Sequence, residues 1–315
     1  MTKKQTLAVE GQPVTVSNLD KVLFPTVGFT KAQIIDYYVR VAPFLLPHLK
    51  DRPVTLKRYP SGITGPHFYE KDAPKFTPDW VVTFPVPRRA GGTDIDYVLI
   101  NDLRTLVWSA NLANLEIHPF LHRVPEINCP TMVVFDLDPG EGVNLLQCGE
   151  VALLLKEKLE TLKLQSFVKV SGSKGMQVYI PLNRPVTYEI TQPFAKGMAD
   201  LFQQQHADRV VAEMSKSLRP GKVFIDWSQN ADFKTTVCAY SMRAKREKPF
   251  VSLPVTWEEL RQAIKKGQLA RLEFEPEAAL KRLEKTGDLF APILKLKQTL
   301  PRKLGAPPKK IVTAR

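Results

Sequence analysis

The sequence predicts an α+β fold, with a mixed or antiparallel sheet flanked by helices and a chemical site on the sheet face. Three observations predict it. The apolar, strand-type run Met132 to Phe135 ends in two aspartates, Asp136 and Asp138, and Pro139-Gly140 then stops it. A second strand-type run ends in a third aspartate, Asp226. Around these runs lie long stretches of helical period, at 144–164 and 187–207. Side chains on a strand alternate faces, so Asp136 and Asp138 share one, with Cα atoms roughly 6.5–7 Å apart. Paired carboxylates repel unless a cation sits between them, and hard divalent ions take such oxygen ligands.

Composition narrows the class. A chain of 315 residues, 43% hydrophobic and 24% charged, is that of a globular protein with room for two core-bearing units. It has no apolar stretch of transmembrane length and no signal-type start. Cys129, Cys148 and Cys238 are widely spaced, as reduced thiols of a cytosolic protein would be, and no zinc site is expected. The net charge of +13 points to a polyanionic partner, nucleic acid first. About half of that excess lies in residues 291–315, which hold seven Lys/Arg and no acid, so the body is basic as well.

Taken in order, residues 13–31 read as a short strand and a Pro/Gly loop before a helix, whose start carries a capping box in Thr30 and Gln33. Lys31 falls in the first turn, where the helix dipole disfavours a cation but a phosphate would bind. Asn18, Lys21 and Lys31 could together hold one. Val54 to Tyr59 alternates as a strand, with Lys57 and Arg58 on opposite faces. Phe68 and Tyr69 follow in a basic, loop-like context. Either both are core, or an exposed one stacks on a nucleobase. Two strand runs, Trp80 to Val86 and Ile95 to Ile100, flank a loop with Arg88, Arg89, Gly91 and Gly92. Asn101 to Glu116 reads as helix, and alternation then carries His118 onto a strand.

After the aspartate strand and the 144–164 helix, Phe167 to Pro181 reads as strand, loop, strand. The loop Ser171-Gly-Ser-Lys-Gly offers small residues, free amides and a cation, a composition suited to phosphate oxygens. Its spacing is not that of a Walker loop. A basic loop with Lys216, Arg219 and Lys222 leads to Asp226, and Arg243 supplies a guanidinium able to grip phosphate bidentately. Helices start at Thr256 and Pro276, and the Pro/Lys-rich end reads as a tail or linker. Three strand-end aspartates with Ser171, Lys174, His118 and Arg243 as triphosphate ligands make a set suited to two-metal nucleotidyl transfer.

The sequence resembles the polymerase domain of bacterial ligase D, in the archaeo-eukaryotic primase superfamily. The segments that carry the resemblance are Asn18-Leu-Asp-Lys-Val-Leu-Phe-Pro, Asp51-Arg-Pro-Val-Thr, Phe135-Asp-Leu-Asp-Pro-Gly-Glu-Gly, Ser171-Gly-Ser-Lys-Gly and Asp226-Trp-Ser-Gln-Asn, in order over about residues 13–260. The resemblance implies a primase-polymerase fold with an RRM-like catalytic core at about 126–290, beside an N-terminal α/β part at about 1–125. It implies that Asp136, Asp138 and Asp226 bind the catalytic metals, Mn²⁺ with Mg²⁺ as substitute. His118, Ser171, Lys174, Gly175 and Arg243 would contact the phosphates of an NTP or dNTP, with Lys57 beside the nucleotide site. Asn18, Lys21 and Lys31 would hold a 5′-phosphate at a DNA gap or end, Phe68 and Tyr69 would lie near the template strand, and Arg219 would belong to a mobile loop. Many relatives carry histidine where this chain has Gln177, which can hydrogen-bond a phosphate but not carry charge. The implied setting is non-homologous end joining, with Ku and a ligase as partners, in a cytoplasmic, nucleoid-associated monomer. No ligase or nuclease domain is seen, as for a stand-alone polymerase or an excised domain.

Two other functions fit parts of the pattern. Phosphatases of the haloacid dehalogenase type also begin with an apolar strand and Asp-x-Asp, but near the N-terminus and without a third strand-end aspartate or the Ser171 loop. A non-catalytic module binding 5′-phosphorylated DNA ends would not need the aspartate triad.

Overall fold

The computed structural model describes residues 3–301. Two sheets organise it. A five-stranded sheet drawn from the N-terminal half runs in the order Phe68–Glu70, Pro53–Arg58, Ile95–Leu99, Thr83–Val86, with Asn114–Pro119 also paired to Pro53–Arg58. A six-stranded sheet follows, in the order Val210–Val211, Val223–Asp226, Met132–Pro139, Met176–Pro181, Phe167–Val170, Pro254–Val255. Its pairings are antiparallel except for that between Val210–Val211 and Val223–Asp226. A hairpin of Lys4–Val9 and Gln12–Ser17 precedes both. The mixed α+β architecture is the one expected.

Helix α1, Lys31–Leu49, opens with the expected capping box: Thr30 and Gln33 each satisfy the other's backbone N–H. Helix α2, Leu103–Asn111, is capped by Asp102 and ends five residues before the expected Glu116. Ala113 has φ +57°, a left-handed turn that breaks the helix and releases Asn114–Pro119 as a strand. Helix α3, Leu145–Thr161, has a capping box of Asn144 and Gln147. Helix α3 and helix α4, Tyr188–Gln205, pack on the six-stranded sheet. On the central strand Val133, Phe135 and Leu137 are fully buried, while Asp136 and Asp138 occupy the other face. That alternation places the carboxylates at the strand's end, on the face that Met132 and Val134 bury further back.

Helix α5, Trp257–Lys265, carries a capping box of Thr256 and Glu259, and helix α6, Pro276–Thr286, has proline in its first turn. Helix α6 lies against α1, where Arg40 and Glu277 form an ion pair. Of the stretch read as a tail, residues 291–301 lie against the body. Ile293 is buried, Asn183 donates to the carbonyls of Ile293 and Leu296, and Gln298 donates to those of Gln165 and Pro181. The remaining tail, with Arg302, Lys303, Lys309, Lys310 and Arg315, lies outside the described residues. No helix among the described residues is long and apolar enough to cross a membrane. The three cysteines are free.

Candidate active site

The centre of the site is a row of side chains that crosses the six-stranded sheet. Asp226 pairs with Asp136, Asp136 with Gln177, and Gln177 with Lys169. Paired residues on neighbouring strands share a face, so all four project to the same side. Asp138, two residues beyond Asp136, joins them. None of the three aspartates makes an ion pair with a described residue. Asp226 is held by local donors: Ser228 N at 3.0 Å and Oγ at 2.6 Å on one oxygen, and Gln229 Nε2 at 2.9 Å on the other.

Crowding has an electrostatic cost. Burial, and then the neighbouring Asp138 and Asp226 carboxylates, push the Asp136 carboxyl up to about 8. Asp138 is open to solvent on one side, yet the surrounding protein and Asp226 raise it, against Arg219, Lys245 and Arg243. At the far end of the row Lys169 is buried and donates to Ser252 Oγ at 2.5 Å. Burial, then Arg243, push its ammonium down to about 7. Gln177 is fixed at both ends of its amide: Nε2 donates to Thr236 Oγ1 at 2.8 Å, and Oε1 accepts from Tyr179 at 3.0 Å.

A cavity of about 620 Å³ opens over Asp136 and Asp138 and is lined also by Ser171, Lys174, Arg219 and Arg243, with Lys216 and Lys245 beside them. Acid thus lies on the floor and cations on the walls. Two glycines make the walls possible. A Cβ on Gly175 would stand 2.1 Å from the Leu137 carbonyl oxygen, and one on Gly140 would stand 1.8 Å from that of Arg219. Each lets a loop close on the aspartate strand, the Ser171 loop on one side and the 216–222 loop on the other. Arg219 donates to Met214 O at 2.8 Å and lies 3.6 Å over the Phe224 ring.

His118 and Lys57 belong to a second cluster, built on Glu116, which the sequence reading passed over as a helix end. Glu116 is fully buried. It faces Lys57 Nζ at 3.2 Å, Arg243 Nε at 3.2 Å and His118 Nε2 at 3.0 Å, and it accepts from Tyr59 OH at 3.1 Å and Ala244 N at 3.2 Å. The Arg243 contact is an ion pair without hydrogen-bond alignment. Burial works against the Glu116 charge, but Arg243, His118 and Lys57 hold the carboxyl well below the usual range. Lys57 is 1% exposed and sits between the Tyr59 and Tyr69 rings, so it faces Glu116 rather than the cavity. Burial also lowers His118 below its ordinary value, in spite of Glu116. The only sequence signal for Glu116 was an acid between two apolar residues on an alternating run.

The remaining predicted residues lie on the N-terminal half. Phe68 and Tyr69 are both exposed, at 53% and 55%, so neither is core. Tyr69 lies 6.4 Å from the His118 ring and so borders the second cluster. Lys21 is exposed and Asn18 half-buried, at φ +51°. Lys31, read as part of a phosphate-binding set, is buried. Its ammonium donates to Ser17 O at 2.7 Å and Asn111 O at 2.8 Å, and burial, then Lys21 and Arg58, push it down to about 8. Lys21 and Arg58 thus lie near enough to act on Lys31, and Arg58 is itself ion-paired with Glu70.

Among the described residues no three His, Cys, Asp or Glu side chains are arranged to ligate one ion as they stand. The donor chemistry nonetheless fits a hard divalent cation. All three donors are carboxylates on one sheet face, and Asp136 and Asp138 are held above their ordinary pKa by burial first and then by neighbouring carboxylates, whose repulsion a cation would relieve.

A family model described as the LigD primase-polymerase domain matches residues 30–290, and the chain belongs to that family. It is similar to the multifunctional non-homologous end joining protein LigD of Mycolicibacterium smegmatis, at 39% identity over 282 residues, 89% of this chain and 36% of that one. It is also similar to the multifunctional non-homologous end joining DNA repair protein LigD of Mycobacterium tuberculosis, at 41% over 287 residues, 89% of this chain and 37% of that one. The chain therefore spans little more than a third of the length of these relatives. Among solved structures, the polymerase domain from Mycobacterium tuberculosis ligase D in complex with DNA matches with a TM-score of 0.82 at 39% identity, covering 89% of this chain and 98% of that one.

Proposed function

We propose that the chain is a DNA-dependent polymerase that adds NTPs or dNTPs to 3′ ends at gaps and broken ends in non-homologous end joining. The observation that carries the reading is Asp136 and Asp138 on the floor of a cavity walled by cations, with Asp226 the cross-strand partner of Asp136. Asp136, Asp138 and Asp226 would hold the divalent ions, Mn²⁺ or Mg²⁺. Such ions, when bound, lower the pKa of an attacking 3′-hydroxyl and offset charge on the leaving pyrophosphate. Ser171 and Lys174, on a loop closed by Gly175, would hold the phosphates of the incoming nucleotide. Arg243 offers a guanidinium to the same groups. His118, beside Arg243 at Glu116, is suited to a further phosphate contact, and Arg219 would close the cavity from the other wall.

On the DNA side, Lys21 and Asn18 would engage a 5′-phosphate, with Lys31 adding charge from below, and Phe68 and Tyr69 would stack on template bases. A ligase and Ku would be the partners, as the end-joining names of the longer relatives suggest. The setting would be cytoplasmic and nucleoid-associated, with the chain acting as a monomer. Primer extension on gapped DNA with a 5′-phosphate tests the reading. Wild type should extend with Mn²⁺ and NTPs or dNTPs, less so without the 5′-phosphate, and Asp136→Ala/Asp138→Ala should not extend. DNA binding without extension by the wild type would replace it with a non-catalytic end-binding module. Cleavage of nitrophenyl phosphate instead would point to a phosphatase.

A further inference from the structure

The Glu116 cluster has a feature that charge balance alone does not require. One carboxylate faces two cationic side chains and a histidine from separate places in the chain. Lys57 is its cross-strand partner on Pro53–Arg58, His118 is two residues further along its own strand, and Arg243 lies on the short strand Met242–Arg243. Lys57 alone would neutralise it. The other two are engaged in a particular way. Arg243 meets Glu116 through Nε, at 3.2 Å, and neither of its Nη atoms has a partner among the described residues. His118 meets Glu116 through Nε2, at 3.0 Å, which leaves Nδ1 open. Both side chains therefore turn one nitrogen to the buried acid and keep the other donors free, and Arg243 lines the cavity above Asp136.

We propose that Glu116 is the positioning residue for nucleotide binding, aiming the Arg243 fork and the His118 ring at the triphosphate, with Lys57 as its buried counter-ion rather than a nucleotide contact. The inference rests on the polymerase reading. An arginine on a two-residue strand has many rotamers, and bidentate phosphate binding needs one. Fixing Nε selects the rotamers that present both Nη groups together. The second-position role resembles that of the carboxylates that orient ligating histidines by holding their far nitrogen. Tyr69, exposed on one side and set against both Lys57 and His118, covers the cluster from solvent.

The test is steady-state gap filling by the full chain on 5′-phosphorylated gapped DNA, with Glu116→Gln and with Lys57→Met/Glu116→Gln. Removing one partner of a buried charged contact is costly, so the KM for NTP in Glu116→Gln should rise on the order of ten-fold or more. Affinity for the gapped DNA without nucleotide should stay within about two-fold, because the 5′-phosphate residues lie elsewhere. The double variant removes both buried charges and so supplies a folded comparison if the single one does not fold. Its KM should stay raised, since Arg243 and His118 still lack their anchor. Three results would overturn the inference: an unchanged KM in Glu116→Gln, a KM restored in the double variant, or DNA affinity falling in step with KM. Inactivity of the wild type would overturn the polymerase reading and this inference with it.

Discussion

The two sheets treat buried charge in opposite ways. On the six-stranded sheet three carboxylates crowd one face with no ion-pair partner among the described residues, and burial, then Asp138 and Asp226, push Asp136 up to about 8. On the five-stranded sheet the carboxylate of Glu116 meets Arg243, His118 and Lys57 and is held well below its ordinary value. Both places are acidic, buried and near the same cavity. The difference lies in who supplies the counter-charge. Where the protein supplies it, the acid serves as an internal anchor. Where the protein leaves it out, the acids are, on the proposed reading, a site for an outside cation.

The comparison can be broken most sharply at the aspartates. Asp136→Asn/Asp138→Asn should lower primer extension on the order of 10³-fold or more, as removing groups that stabilise transition-state charge does. The same change should leave the fold intact, because it relieves repulsion, and far-ultraviolet dichroism checks that. Gly140→Ala comes next. Its new Cβ would stand 1.8 Å from the Arg219 carbonyl oxygen, so the 216–222 loop must move. A cost of about 1–3 kcal/mol is expected, read as a lower denaturation midpoint, with reduced extension.

The pH dependence of stability sharpens the contrast, since the two clusters have opposite signs. The folded pKa of Asp136, about 8, lies above that of an unfolded aspartate. Its contribution is therefore present below the unfolded value and lost as pH rises toward 8. In metal-free protein, wild type should lose stability relative to Asp136→Asn across that window. The Glu116 contribution is present above the ordinary glutamate value and lost as pH falls through its depressed folded value. Wild type should thus lose its advantage over Glu116→Gln toward the acid end. Denaturant titrations at several pH values read both.

Effects at the residues proposed to face DNA should be smaller. Phe68→Ala should weaken template-strand binding by about 1–3 kcal/mol with no change in denaturation midpoint, because the ring is exposed. Lys21→Ala should reduce the slope of log affinity against log salt by about one and blunt the preference for a 5′-phosphate.

What the sequence disclosed and what it hid follow the same division. Asp136, Asp138 and Asp226 were readable because a strand's alternation and a Pro-Gly stop are local signals, and so were the capping boxes of Thr30 and Thr256. Glu116 was not, since its partners come from residues 57, 118 and 243, and only cross-strand pairing brings them together. The helix before it was read too long for a related reason: nothing in Leu112-Ala113-Asn114 signals that Ala113 takes a left-handed turn. Lys31 was read as a phosphate ligand at a helix start, but its ammonium donates to the carbonyls of Ser17 and Asn111, which are distant in sequence. Lys169 was hidden in a valine-rich strand, where only the register with Gln177 and Asp136 gives it meaning.

The division of labour between the two acids is tested most directly by calorimetric titration of metal-free protein with Mn²⁺, comparing wild type, Asp136→Asn/Asp226→Asn and Glu116→Gln. Mn²⁺ should bind wild type and Glu116→Gln with similar affinity and fail to bind the aspartate variant. Binding that survives loss of the aspartates, or that disappears with Glu116, would contradict it.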